Sequence, residues 1–372
     1  MEDLNYAGSQ WAKWDLHIHS NASDGKGTPA QIIQKAKEKG LSVIALTDHH
    51  TVKNIDEIKA IGRENGITVI SGIEFRTEYG EKSVHMIGLF PDEYNGIELT
   101  QQALNELILG PLDLSETVIK AKAKEKDANL SDEKAFKKGI FLVQVNFKDA
   151  AKLIHKYGGL VSVHAGDKAN SIEEMKHAGI GVRNVKDVVD SLGTVKEELL
   201  CEYIDICELG SLQDKNASFY VEQFGKPAIV ASDAHKIDDV GKLYTWIKAD
   251  KTFEGLRQIV YEPELRVKIQ ENMPNNKSDY QVIDSIEISG EDFGKQVIPF
   301  NQDLNVIIGG RSSGKSILLG CIAKLANYKG LVKLEKNIIE RRVNILKEEG
   351  VIFKTCINVG IDVRYSKLQK EY

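Results

Sequence analysis

The chain has 372 residues, of which 42% are hydrophobic and 28% charged, with 31 glycines and 7 prolines. This composition excludes a collagen-like or largely disordered chain and indicates a globular protein large enough for one barrel-sized domain and a second, smaller unit. The formal net charge of −6 gives by itself no indication of a polyanionic partner.

The N-terminal segment is short, polar and acidic, and no stretch of about 18 apolar residues occurs. Four cysteines lack the CxxC spacing of a zinc–thiolate site: Cys201, Cys207, Cys321 and Cys356. We therefore expect a cytoplasmic protein with reduced cysteines and no membrane partner.

From residue 14 onwards, short apolar segments alternate with segments of helical periodicity, which predicts βα units around a parallel sheet or barrel. The predicted strands are Trp14–His19, Ser42–Thr47, Thr68–Ile73, Val84–Leu89, Gly159–His164, Ile204–Leu209 and Ala228–Ala231. The predicted helices are Pro29–Lys39, Asn54–Asn65, Phe147–Tyr157, Ser218–Phe224 and Phe253–Tyr261.

A predicted insertion and a predicted linker divide the chain. Residues 92–146 have mostly helical periodicity, broken at Gly110-Pro111, and predict a helical insertion of two helices. Residues 271–280 include the polar, turn-forming segment Pro274–Ser278 and predict a linker between a domain at 10–270 and a second at 281–372. In the latter, Val282–Ile288, Gln296–Phe300 and Asn305–Ile308 are predicted strands, and a helix is expected to open near Lys315.

Histidines and carboxylates recur where predicted strands end, which is the edge at which barrel active sites are built. His17 and His19 are two residues apart on the first strand, so both imidazoles point to one face and can reach one ion. Imidazole and carboxylate without thiolate suit zinc, manganese or iron, and so many ligands favour a multinuclear hydrolytic site. The set comprises His17, His19, Asp24, His49, Glu74, His85, His164, Asp233 and His235.

These motifs occur in the order typical of the PHP (polymerase and histidinol phosphatase) family, which this region resembles over about residues 10–265. The resemblance implies a distorted (β/α)7 barrel with three metal ions. His17, His19, Glu74 and Asp233 would hold the first. The second ion would be held by Asp24, His49 and His235. The third would be held by His85 and His164 together with Glu74, which would bridge it to the first. Many members have histidine at the position of Asp24, and the harder oxygen ligand favours manganese over zinc there.

The resemblance further implies hydrolysis by a metal-bound hydroxide, with Glu74 bridging the ions and no protein nucleophile. Beside the ligand His49, we interpret Asp48 as a carboxylate that orients a bound imidazole, and His50 as a candidate acid for the leaving group. The alternative for Asp48 is a metal ligand, and the alternative for His50 is a side chain that is only packed or exposed.

A second motif, GxxxxGK[ST], lies between an apolar run and a helical pattern. In that context backbone N–H groups cradle phosphates, Lys315 reaches the β- and γ-phosphates, and Ser316 binds Mg²⁺, so the motif predicts ATP binding with magnesium. The residues are Gly309, Gly310, Arg311, Ser312, Ser313, Gly314, Lys315 and Ser316.

Residues 281–372 resemble the start of an ABC-type P-loop ATPase of the SMC and DNA-repair kind, and the whole chain resembles TrlF-like fusions. The expected fold is thus α/β, a PHP barrel followed by a partial ATPase lobe. No Walker B carboxylate or signature segment follows Ser316. The strand Cys356–Ile361 before Asp362 is interpreted as an ordinary one. Either the chain is truncated or split, a second polypeptide or second copy completes the lobe, or the lobe binds nucleotide without hydrolysing it.

The leading hypothesis is an enzyme, a metal-dependent phosphoesterase acting on a nucleotide or nucleic-acid phosphate and coupled to an ATP-binding lobe. Amidohydrolase barrels also begin with HxH, but the Asp233-Ala-His235 pair and the positions of Glu74 and His85 disfavour them. From another class, the chain could be a non-catalytic nucleotide sensor or DNA-organising subunit with the barrel as a scaffold.

Overall fold

The computed structural model describes residues 8–79, 83–174, 185–214, 216–274, 282–290, 294–311, 313–325, 352–359 and 362–368. It divides into two compact units, Trp11–Pro274 and a second formed by Met1–Gln10 with Asn275–Tyr372. The predicted linker at 271–280 is described only as far as residue 274, and the rest of it lies outside the described residues.

A nine-stranded sheet organises the first unit, in the order β11-β10-β1-β2-β3-β4-β7-β8-β9. Its strands are β1 (Gln10–Ile18), β2 (Leu41–Leu46), β3 (Thr68–Arg76), β4 (His85–Phe90), β7 (Leu160–His164), β8 (Ile206–Leu209), β9 (Ala228–Val230), β10 (Thr245–Ala249) and β11 (Val267–Lys268). Two short strands, β5 (Glu93–Tyr94) and β6 (Ile97–Glu98), pair separately.

Four neighbouring pairs run parallel, as the βα pattern predicts: β1/β2, β2/β3, β7/β8 and β8/β9. By contrast, β4 runs antiparallel to both β3 and β7, and β11 runs antiparallel to β10. The connection from β3 to β4 is short, and a short connection joins antiparallel strands. Near the two ends of the sheet, the Thr245 hydroxyl bonds the N–H and the C=O of Val230, each at 2.8 Å. The result is an α/β fold with a nearly closed, barrel-like sheet.

Alternate residues of a strand face opposite sides, and this alternation separates two apolar layers. On β2, Val43 and Ala45 belong to the inner cluster, whereas Ile44 and Leu46 pack with the helices outside. The helices around the sheet are α1 (Pro29–Glu38), α2 (Ile55–Glu64), α6 (Phe147–Lys156), α7 (Val185–Glu202), α8 (Ala217–Phe224), α9 (Phe253–Tyr261) and α10 (Pro263–Arg266). Of these, α9 packs into the inner cluster.

The predicted helical insertion contains more pieces than the two helices expected. After β5 and β6 come α3 (Gln101–Leu104) running into a π-helical turn (Asn105–Leu109), then α4 (Glu116–Lys124) and α5 (Asp132–Gly139). Serine and threonine caps begin α3, α4 and α5, which explains why a helical stretch rich in Lys and Glu divides into short helices.

In the part of the chain that the structure describes, the second unit is an antiparallel sheet in the order β13-β12-β14-β15 with one helix, α11 (Lys315–Leu325). Its strands are β12 (Ser285–Gly290), β13 (Gly294–Pro299), β14 (Ile352–Val359) and β15 (Asp362–Leu368). The predicted strand at 305–308 is wrong: the segment pairs with no strand among the described residues, and Val306 and Ile308 are 71% and 86% exposed. Apolar residues without a neighbouring strand give no ladder to join.

In the described residues, we find no helix that is both long enough and apolar enough to cross a bilayer.

Candidate functional site

All nine histidines and carboxylates singled out by sequence lie at one edge of the barrel-like sheet. His17 and Glu74 lie near the carboxyl ends of β1 and β3, and His164 is the last residue of β7. Antiparallel β4 brings its first residue, His85, to the same edge, where it pairs with Arg76. The reversal of β4 is therefore what places His85 in the cluster. Loops after β1, β2 and β9 supply the others: His19, Asp24, His49, Asp233 and His235.

Four donor atoms form the tightest group in the site. His17 Nε2 lies 3.0 Å from His19 Nε2 and 3.2 Å from Glu74 Oε2, and His19 Nε2 lies 3.0 Å from Glu74 Oε2. Asp233 Oδ1 is 3.4 Å from both imidazole nitrogens. Two ligands about 2.1 Å from one ion are separated by about 3.0–3.4 Å in octahedral or tetrahedral geometry. The donor set therefore fits a divalent cation.

A second group surrounds Asp24. His235 Nε2 is 3.1 Å and His49 Nε2 is 3.8 Å from Asp24 Oδ2, while His19 Nδ1 is 3.5 Å from Asp24 Oδ1. The buried Nδ1 of His19, on the Asp24 side, has no hydrogen-bond partner, whereas the Nδ1 of His49 faces Glu74 Oε2 at 3.3 Å. Buried ring nitrogens without a partner are costly unless something else binds them, and a cation among these four side chains would do so.

A third group meets at the other oxygen of Glu74. His85 Nδ1 lies 2.6 Å and His164 Nε2 lies 3.6 Å from Glu74 Oε1. The donor atoms of His164 also gather with those of His17 and Asp233, within 4.8 Å of one another, whereas His85 gathers with His49 and Glu74. His164 thus lies between two groups, which the order of motifs along the chain does not indicate.

Glu208, on β8, was missed by the sequence analysis and holds His17. His17 Nδ1 donates to the two carboxylate oxygens of Glu208 at 3.0 and 3.1 Å, which leaves His17 Nε2 to accept from the cluster. The Lys168 amine in turn donates to Glu208 at 2.6 Å and lies 3.1 Å from Asp233. The available signal was a carboxylate near the carboxyl end of the predicted strand Ile204–Leu209, although that strand also contains Asp205.

Asp15, also missed, fastens the loop that carries two candidate ligands. Its carboxylate oxygens accept the backbone N–H groups of Ser232 at 2.9 Å and Gly241 at 3.0 Å. Between them lie Asp233, whose φ is +51°, and His235. Burial raises the pKa of Asp15 to about 6, against the opposing effect of these hydrogen bonds.

Asp48 is buried at the site but orients a loop rather than an imidazole. It accepts the backbone N–H of Ser20 at 2.8 Å and the hydroxyls of Ser20 and Ser23 at 2.5 Å each. These contacts fix the turn that leads into Asp24.

His50 is 1% exposed, and neither of its ring nitrogens has a hydrogen-bond partner. Burial, reinforced by the neighbouring His49 and Arg76, lowers the pKa of His50 well below its ordinary value. A lowered pKa disfavours the protonated ring that donation to a leaving group would need.

Charges in the cluster are strongly coupled. Burial by itself lowers the pKa of His17 and His19, yet the neighbouring carboxylates raise it, in His19 to about 9. Burial raises the pKa of Glu74 and Asp233, but the surrounding imidazoles hold both well below the ordinary value. The ionised carboxylates of the site thus attract positive charge, which divalent ions would supply in place of protons on the imidazoles.

The GxxxxGK[ST] residues form a loop before α11. The Lys315 amine, on the first residue of that helix, donates to the carbonyls of Gly309 at 2.8 Å and Gly310 at 2.6 Å. Gly314 has φ +86°, a conformation that favours glycine. Arg311, Ser313 and Ser316 are described in or beside the loop, and Ser312 lies outside the described residues.

Residues 15–177 match the PHP domain family and residues 214–258 match the PHP-associated family. A 5′-3′ exoribonuclease of Haemophilus influenzae is 38% identical over 98 residues, covering 25% of this chain and 36% of the relative. A 3′,5′-nucleoside bisphosphate phosphatase of Chromobacterium violaceum is 36% identical over 93 residues, covering 25% of this chain and 30% of the relative. The chain thus spans about a third of the length of these relatives.

Among solved structures, an amidohydrolase from Chromobacterium violaceum with bound sulfate and no metal is 21% identical. The match covers 69% of this chain and 98% of that one, with a TM-score of 0.43. At that score the structure is too distant to inform the fold or the function.

Proposed function

We propose that this chain, which carries a PHP domain over residues 15–177, is a metal-dependent phosphoesterase acting on a phosphate ester of a nucleotide or nucleic acid. The observation that carries the proposal is the spacing of the donor atoms of His17, His19, Glu74 and Asp233, at 3.0–3.4 Å. The names of the relatives, an exoribonuclease and a nucleoside bisphosphate phosphatase, support the substrate class.

In this proposal the ligands divide as the resemblance implies, with one extension. His17, His19, Glu74 and Asp233 hold one ion, and His19, by its free Nδ1, lies beside the group of Asp24, His49 and His235 that holds a second. Glu74, His85 and His164 hold a third. Manganese, zinc or iron suits these nitrogen and oxygen donors.

Divalent ions in such a site polarise the phosphoryl group and lower the pKa of bound water, so no protein nucleophile is needed. The chain's own residues prepare the site. Glu208 keeps the proton of His17 on Nδ1, and the carbonyl of Ala169 accepts from His164 Nδ1 at 3.0 Å, so both Nε2 atoms face the cluster. The Lys168 amine, 9% exposed, adds a fixed positive charge beside Asp233.

The test is hydrolysis of bis(4-nitrophenyl) phosphate and 4-nitrophenyl phosphate after reconstitution with Mn²⁺. We expect activity in the wild type and its loss in His17→Ala. His155→Ala is the matched control, because His155 pairs with Asp205 outside the cluster. A His17→Ala variant as active as the wild type would contradict the proposal.

A nucleotide at the loop 309–316 is a further part of the proposal, supported by the Lys315 helix start and the conformation of Gly314. We also propose that this lobe is coupled to phosphoester hydrolysis, and that a second polypeptide or a second copy of the chain completes the lobe. Equilibrium dialysis with ATP and Mg²⁺ tests the binding. We expect it in the wild type and not in Lys315→Ala; equal binding by both would refute it.

A further inference from the structure

One exposed aromatic ring stands beside the candidate metal cluster. Phe141 follows α5 in the insertion and is 46% exposed. Its ring centroid lies 5.9 Å from that of His49, with the planes at 64°, and 5.7 Å from the guanidinium carbon of Arg76. Among the phenylalanine, tyrosine and tryptophan side chains that the structure describes, it is the exposed one in ring contact with a candidate ligand.

Phe141 also lines a cavity of about 400 Å³. Apolar side chains contribute half of its lining and charged ones the other half: Ala123, Leu130, Phe141 and Leu142 with Lys126, Asp127, Lys137 and Lys138. Small-molecule sites have about this volume, and the three amines suit a ligand that carries phosphate.

Lys137 connects this cavity with the metal edge. It also lines a second cavity, of about 470 Å³, whose wall includes Asn21 and His50 next to the cluster. Its ion pair with Glu133 is 3.3 Å long between side chains that are 48% and 81% exposed. Exposed pairs of this kind are weak, so the ammonium can turn towards a phosphate.

A single exposed hydrophobic residue needs no explanation by itself. Phe141 differs by its place, because its ring contacts the candidate ligand His49 and also lines a cavity large enough for a nucleobase. An exposed aromatic ring binds a planar base by stacking, and the gain in binding free energy depends little on which base is stacked. A sugar phosphate without a base offers no such partner.

We propose that Phe141 stacks against a nucleobase of the substrate, in the cavity beside it, while the phosphate of that nucleotide lies at the clustered histidines and carboxylates. This rests on the proposed phosphoesterase function and names its substrate as a unit that carries a base. Phe141 is on this account a specificity-determining residue.

The test compares matched substrates with and without a base: adenosine 3′,5′-bisphosphate, a diadenosine dinucleotide, and the abasic counterpart of each. Phe141→Ala should lower kcat/KM for the base-containing substrate about 5–150-fold, the loss expected for one stacked base, and leave the abasic one unchanged. Phe141→Tyr should retain the wild-type preference. Phe219→Ala is the matched control, since Phe219 is 44% exposed on α8 and contacts Tyr220 and Phe224 instead. Equal loss on both substrates, or no loss on either, would overturn the proposal.

A binding measurement separates this inference from the function on which it rests. In Phe141→Trp, adenosine 5′-phosphate should quench the added fluorescence, and ribose 5-phosphate should not. If neither the base-containing nor the abasic substrates are hydrolysed but adenosine 5′-phosphate quenches the fluorescence, the stacking is supported and the phosphoesterase function is refuted. If hydrolysis occurs and the nucleotide leaves the fluorescence unchanged, the stacking is refuted.

Discussion

Replacement of Glu208 by glutamine is the sharpest perturbation of the candidate site that leaves every proposed ligand in place. The side chain keeps its size but loses the charge that receives His17 Nδ1 at 3.0 Å and the Lys168 amine at 2.6 Å. An amide can present its NH₂ to His17, which would favour the tautomer with its proton on Nε2, facing the cluster.

Loss of a group that orients a ligand weakens metal affinity by about 10–100-fold, which is about 1.4–2.7 kcal/mol. Removing one member of a buried ion pair costs up to about 3–5 kcal/mol. The loss of stability in Glu208→Gln lies towards the low end of this range, because the Lys168 amine still has the Asp233 carboxylate as a partner at 3.1 Å. We therefore expect weaker metal binding and a lower melting temperature together.

The assay is competition for Mn²⁺ against a chromogenic chelator, with thermal unfolding in parallel. Glu262→Gln is the matched control, since Glu262 pairs with Arg266 at the surface, 48% exposed. The double variant Lys168→Met with Glu208→Gln should recover stability but not metal affinity. Wild-type affinity in Glu208→Gln would refute the orienting role of this carboxylate.

Three further outcomes are expected. Gly25→Ala should abolish metal binding, because a Cβ there would lie 2.5 Å from the backbone oxygen of His19. The control Gly193→Ala should keep its metal, because nothing lies within 4 Å of a Cβ at that position. Equal metal content in both variants would contradict this prediction. Removal of metal with a chelator should lower the melting temperature by about 5–10 °C, which corresponds to the loss of about 2.7 kcal/mol of stabilisation by bound ligand. Calorimetry with and without chelator measures this shift, and an unchanged melting temperature would count against bound ions. In metal-free protein, burial alone would raise the pKa of Glu208, but His17 and Lys168 lower it from 4.5 to about 2. A lowered pKa stabilises the fold above the unfolded value, so stability should fall as pH falls from about 4.5 to 2, less so in Glu208→Gln; denaturant titrations at several pH values decide this, and identical pH dependence in both proteins would exclude it.

The position of the site could be predicted from sequence because ligands end strands. His17 and His19 lie at the end of one predicted strand and the Asp233-Ala-His235 pair follows another, and the carboxyl ends of these strands meet at one edge. The antiparallel direction of β4 could not be inferred, because an apolar run has no direction in its pattern. His85 nevertheless reaches the site, at the start of that strand rather than its end.

The supporting residues were harder to predict. Glu208, Lys168 and Asp15 are far from their partners in sequence, and their roles depend on contacts across the barrel that no spacing encodes. The failure of the predicted strand at 305–308 has a similar origin, since strand formation depends on a neighbour to pair with as well as on apolar residues. Helix α11 begins at Lys315 as expected, because the glycine-rich loop before it and the helical pattern after it are both local signals.

The central claim is that the cluster binds several divalent ions, and metal content measures it most directly. Wild type and Glu74→Ala would be reconstituted with Mn²⁺, freed of excess metal and analysed by atomic emission. Glu74 contributes one oxygen to the group of His17 and His19 and the other to that of His85. We predict about three ions per chain in the wild type and at least one fewer in the variant. One ion or none in the wild type, or equal content in both, would contradict the account.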